Sequence, residues 1–196
     1  MERLSSTEII KKMQKMGISL FTLADFARLF GLNNQTTVYK KAQRLEKAGI
    51  VKRLTKGKYI FLFKKPNEYL TANFLYRPSY ISLESALSFY GITTGFPYKI
   101  FSMTTKKPRT IIIEEQEYQY SQISRNLFWG FEKKEEFLIA DKEKALIDFL
   151  YLSFKGLRHP NLDEVDLSII DKKRLREYLG KIANQHFLNF VKKQKI

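Results

Sequence analysis

The chain contains no cysteine, so disulfides, thiolate zinc sites and thiol nucleophiles are excluded. Histidine is nearly as scarce. His159 and His186 stand alone, without partners at ligand spacing, and no metal site is expected. No run approaches the roughly 18 apolar residues that a membrane span needs. The opening MERLSSTEIIKK lacks the apolar block of a signal peptide, so a cytoplasmic protein without a membrane partner is expected. There is no internal repeat and no low-complexity linker. Acidic residues are scarce in one place: residues 1–65 hold 15 Lys/Arg against 4 Asp/Glu, whereas the remainder holds 20 against 16.

Most of the formal charge of +15 therefore lies in the first third, as expected of a segment that faces a polyanion. Membrane lipid is a polyanion too, but the basic helical patterns here need their apolar residues for a core and have none free to enter a bilayer. With 44% hydrophobic residues over 196 positions, the chain has enough apolar side chains for two modest cores.

Within the basic third, two helical patterns, TLADFARLF and NQTTVYKKAQRLEKAG, lead directly into a two-stranded pattern, IVKRL-TKGK-YIFLF. Residues 22–61 thus read as a winged helix-turn-helix. Ahead of them, Ser5 and Glu8 form a capping box, Ile9, Ile10, Met13 and Met16 follow near helical spacing, and residues 18–21 suit a short strand. Thr22 and Asp25 make a second box for a helix that turns Leu23, Phe26, Ala27 and Phe30 inward. Asn33 or Asn34 caps the third helix, where Val38, Ala42 and Leu45 fall at i, i+4 and i+7 with Ala48 one turn on.

The opposite face of that third helix is polar and basic. Gln35, Thr36 and Thr37 occupy its exposed first turn, the part that reads bases in helix-turn-helix proteins. Gln35 and Thr36 are the base-edge candidates, since an amide pairs bidentately with adenine and a threonine methyl meets that of thymine. Tyr39, Lys40, Lys41 and Arg44 are assigned to phosphates, although Lys41 flanks the apolar stripe and is equally placed to lay its stem over the core. In the hairpin, Arg53, Lys56 and Lys58 are candidates for backbone or minor-groove contact. The bland alternatives are a solvated helix face and an ordinary hairpin tip.

Pro66 cannot continue a strand ladder and the charge balance changes there, which divides the chain into a winged helix-turn-helix domain, 1–65, and a second domain, 66–196. In the second domain the patterns predict helices over 68–74, 83–90, 142–154, 168–183 and 186–193. Strands over 99–104, 110–114, 118–123, 127–131 and 137–139 are spaced as in a meander. The expected class is α+β, with a short antiparallel sheet flanked by helices. Ser82 and Asp141 read as helix N-caps, and Glu84 as favourable charge in a first turn. Asp141, Glu143 and Asp148 with Lys142 and Lys144 have the composition of a nuclease-like cluster, but Asp148 lies two turns from the cap. Tyr118, Tyr120, Phe128, Trp129 and Phe131 suit either a sheet core or a face covered by a partner.

Two segments of this domain, YRPSYISLESALSFYGI (76–92) and IADKEKALIDFLY (139–151), resemble the signature segments of AbiEi-type antitoxins. Ser102-Met103-Thr104-Thr105 and Leu127-Phe128-Trp129-Gly130, lying between them, are similar as well. The resemblance weakens after about residue 160. It implies a winged-helix domain that represses its own operon by binding promoter inverted repeats, with two copies on one operator. It also implies a second domain that counters a nucleotidyltransferase toxin in phage defence by abortive infection, with or without lasting contact. No cofactor and no enzymatic activity are expected. The alternatives are a solitary regulator and a metal-dependent nuclease in the second domain.

Overall fold

The computed structural model describes residues 5–95, 97–158 and 165–194. His159 and Pro160 lie outside these, as do the first four residues. The chain is α+β and forms two compact units, Met1–Leu75 and Tyr76–Ile196.

In the first unit, helix α1 (Ser6–Lys15) starts at a reciprocal cap in which the Ser5 hydroxyl accepts the Glu8 amide and Glu8 accepts that of Ser5. Strand β1 (Leu20–Thr22) follows, and Thr22 and Asp25 make the same exchange at the start of α2 (Leu23–Phe30). Gly31, at φ +62°, ends α2 in a left-handed turn that a side chain would strain. Helix α3 (Gln35–Lys47) leads to strands β2 (Val51–Thr55) and β3 (Lys58–Phe61). The three strands form an antiparallel sheet, β1-β3-β2. Ile9 and Met13 of α1, Phe26 of α2, and Val38, Ala42 and Leu45 of α3 close on its inner residues Phe21, Val51, Tyr59 and Phe61. Ala48 is exposed as the C-cap of α3, and Met16 is exposed as that of α1, so the inward stripe is one residue shorter in each helix than its spacing suggested.

Helix α4 (Glu68–Leu75) belongs to this first unit, so the break falls after it rather than at Lys65-Pro66. The physical tie is Lys58, whose ammonium donates to Phe74 O and Leu75 O at 2.7 Å each.

The second unit contains β4 (Ser79–Ile81), α5 (Leu83–Phe89), β5 (Lys99–Thr104), β6 (Arg109–Ile113), β7 (Gln116–Gln122), β8 (Phe131–Lys134) and β9 (Phe137–Ala140). Helices α6 (Lys142–Phe154), α7 (Lys172–Gly180) and α8 (Gln185–Lys193) follow. Its sheet is larger than the short antiparallel one expected, with strand order β6-β7-β5-β4-β9-β8. It is also mixed, because β4 lies parallel to β9 and β5 parallel to β7. The hairpin partner β6 sits on the outer side of β7, which frees β7 to pair with β5. Strand β4 escaped the sequence reading because three residues buried on every side carry no alternation. Residues 127–131 are not a strand: a 3-10 turn covers Arg125–Leu127 and pairing begins only at Phe131. Helix α6 is buried on every side over residues 143–153, the charged Glu143, Lys144 and Asp148 included, against α5, α7 and α8.

Candidate nucleic-acid interface

The geometry of α3 begins with its cap. The Asn34 side-chain oxygen accepts the Thr37 amide at 3.1 Å, so Asn34 rather than Asn33 sets the first turn. With Val38, Ala42 and Leu45 turned into the core, Gln35, Thr36, Tyr39, Lys40 and Arg44 are exposed, and Thr37 and Lys41 half-buried. The helix has no acidic residue in its first turn. Its one carboxylate, Glu46, is drawn to the far end, where it accepts the Arg53 amide of β2 at 3.3 Å. That bond ties α3 to the hairpin. Buried Tyr59 stands at the same junction, its hydroxyl pushed up by desolvation and pulled the other way by Arg53. Among the described residues, Lys40, Arg44 and Lys56 make no ion pair, so their charge faces solvent uncompensated.

The hairpin divides its candidates. Lys56 is exposed at the tip beside Gly57, whose φ of +75° makes the tight turn. Arg53 is exposed, with its Nε donating to Thr55 O at 3.4 Å. Lys58 departs from the sequence reading, since its ammonium is spent on the α4 carbonyls and lies 5.3 Å from the centre of the Phe74 ring.

Two groups of polar residues surround the start of α6 in the second unit. Lys144 and Asp148, both essentially inaccessible, form an i,i+4 ion pair within α6. Asp148 also accepts from the hydroxyls of Tyr80 and Ser82 at 2.8 Å each, and Tyr80 accepts from Lys144 at 3.0 Å. Burial is the larger influence on Asp148 and lifts its carboxyl above the ordinary value, against the pull of Lys144, Ser82 and Tyr80. Ser82 therefore is not the side-chain cap of α5: its hydroxyl makes no cap bond and turns to Asp148, while Leu83 takes a left-handed φ of +55°. The Gly130 backbone lies against the Lys144 stem so closely that a Cβ would stand 2.9 Å from Cγ. Phe128 and Phe131 pack on Tyr80, and the Lys144 ammonium lies 5.2 Å from the Trp129 ring centre.

Asp141 belongs to the other group. It caps α6 through the Lys144 amide and accepts from Tyr178 and Arg174 at 2.6 and 2.8 Å, while Glu143 accepts the Asp171 amide at 3.0 Å. These bonds fasten α7 to α6. Glu84, expected as first-turn charge, pairs with Arg158 at 2.8 Å. Asp141 and Asp148 thus point to different partners, and among the described residues no three His, Asp or Glu side chains converge as a metal site. His186 is exposed on α8. No described helix is long and apolar enough to cross a membrane. Sequence reasoning missed the Tyr80–Ser82–Lys144–Asp148 cluster, whose one legible sign was a Lys and an Asp at i,i+4 inside an otherwise apolar helix.

No family model and no curated protein matches the chain. Among solved structures, the RV2827C protein from Mycobacterium tuberculosis is similar, with a TM-score of 0.61 at 13% identity over 89% of this chain and 71% of that one. Likeness at that identity concerns the fold alone.

Proposed function

We propose that the first unit is a winged helix-turn-helix that binds double-stranded DNA with α3 in the major groove, and that the chain is an autorepressing antitoxin of the AbiEi type. The observation that carries the DNA reading is the exposed face of α3. A capped first turn presents Gln35 and Thr36, Lys40 and Arg44 follow without an ion pair among the described residues, and the hairpin is bonded to the helix end. Gln35 and Thr36 are the base readers, with Thr37 beside them. Tyr39, Lys40, Lys41 and Arg44 hold phosphates, and Arg53 and Lys56 extend the contact from the wing. Lys58 is left out of this set because its ammonium is engaged. The antitoxin reading rests on the resemblance of residues 76–92 and 139–151. It draws support from their meeting in one place, where Tyr80 and Ser82 of the first segment bond Lys144 and Asp148 of the second. The partners are then promoter inverted repeats, occupied by two copies, and a nucleotidyltransferase toxin.

The test is binding to the upstream promoter duplex and to a scrambled one of equal length. Preference for the promoter is expected, with about a thousandfold loss of affinity between roughly 50 and 200 mM salt if about six or more phosphates are neutralised. Equal affinity for both duplexes would remove the repressor reading.

A further inference from the structure

We propose that a groove in the second unit binds a small phosphorylated ligand of nucleotide size. The groove, about 640 Å³, lies between the β6–β7 strands and the turn that ends α6, a size within the usual range of small-molecule sites. Three lining residues are cationic, Arg109 on β6 and Lys155 and Arg158 after α6, and none is a carboxylate. Residues 66–196 hold 20 Lys/Arg against 16 Asp/Glu, so a lining of one sign departs from the near balance of its surroundings.

Each of these cations rests over an aromatic ring. The Arg109 guanidinium is 5.6 Å from the Tyr76 ring centre, the Lys155 ammonium 4.8 Å from that of Tyr151, and the Arg158 guanidinium 4.3 Å from that of Phe101. A ring attracts and orients a cation through its quadrupole, yet leaves the net charge in place. Arg158 is further fixed, and partly neutralised, by Glu84. Arg109 and Lys155 have no ion pair among the described residues. Two residues of the lining therefore carry positive charge that no carboxylate neutralises, which favours an anionic ligand.

The rest of the lining narrows the ligand. The Gln119 and Gln122 amides supply donors and acceptors, and the largely exposed Leu157 supplies an apolar ledge. A metal cation would find no acidic ligand here, and an apolar molecule would leave the cations unanswered. A phosphate carried on a ring-bearing, hydrogen-bonding body uses all three features.

The test is calorimetric titration of the full chain with ATP, AMP and inorganic pyrophosphate, without added metal. ATP is expected to bind more tightly than AMP, and both more tightly than pyrophosphate. Arg109→Gln and Lys155→Gln are each expected to weaken ATP about three- to tenfold, the loss of one charge-assisted contact at an exposed site, with unchanged thermal unfolding. Lys40→Gln, in the first unit, is expected to leave ATP affinity unchanged. The proposal is overturned if no heat is measured at millimolar nucleotide, if both groove variants bind as the parent does, or if Lys40→Gln abolishes binding. Pyrophosphate binding as tightly as ATP would overturn the nucleotide part.

Discussion

Lys144 and Asp148 are the residues on which the second unit depends most heavily, because two charges taken out of water are tolerable only while each answers the other. Lys144→Met leaves the Asp148 carboxylate buried without a counter-charge and is expected to cost about 3–5 kcal/mol of stability, read by urea denaturation. Pairing it with Asp148→Leu should restore part of that loss, since no charge then stays buried, while the Tyr80 and Ser82 hydroxyls lose their shared acceptor. A neutral single variant would show that the hydroxyls of Tyr80 and Ser82 suffice. Lys58 and Arg44 make a second contrast between cations of one unit. Lys58→Gln removes two bonds to the end of α4, so it should lower the unfolding midpoint and leave the salt dependence of DNA binding as it was. Arg44→Gln should do the reverse, reducing the salt slope by about one. Both outcomes are checked by pairing a melt with a binding curve at several salt concentrations.

At the scale of elements, the caps were the most legible feature, and they decide where helices start. Ser5, Thr22 and Asn34 each accept the amide three residues on, as their side chains and spacing required. Ser82 broke the pattern because a buried carboxylate from α6, distant in sequence, offered its hydroxyl a stronger bond than a helix amide does. The cap of α7 carries a pH dependence. Asp171 accepts the amides of Arg174 and Lys173, which hold its carboxyl below the ordinary value. A carboxylate depressed in the folded state contributes stability above its unfolded pKa and loses it as pH falls through the folded one. The protection of the Lys173 and Arg174 amides, measured relative to their intrinsic exchange rates, should therefore fall selectively as the pH is lowered from neutral through the carboxylate range. Asp171→Ala should remove that dependence. Strand pairing was less legible than the caps: β6 and β7 formed where β-prone segments stood, but nothing local distinguished a meander from β7 crossing to lie parallel with β5.

At the scale of the whole molecule, most of the net positive charge lies in the first unit, and under the proposed reading that unit binds DNA while the second counteracts a toxin. If that reading holds, cells expressing a nucleotidyltransferase encoded beside this chain should grow when this protein is co-expressed. Lys144→Met should lose that rescue, whereas Lys40→Gln should keep it while relieving repression. Rescue by neither parent nor variant would leave a regulator alone. The sequence by itself determined the class, most helices, the caps at Ser5, Thr22 and Asp141, the basic third and the candidate face of α3, because caps, periodicity and charge act within a few residues along the chain. Tertiary structure alone decided three other things. It set the mixed order of the six-stranded sheet, it tied Lys58 to α4 instead of leaving it on the hairpin surface, and it brought Tyr80, Ser82, Lys144 and Asp148 together. Each depends on which groups desolvate together, and burial joins residues more than sixty positions apart, beyond the reach of any local pattern.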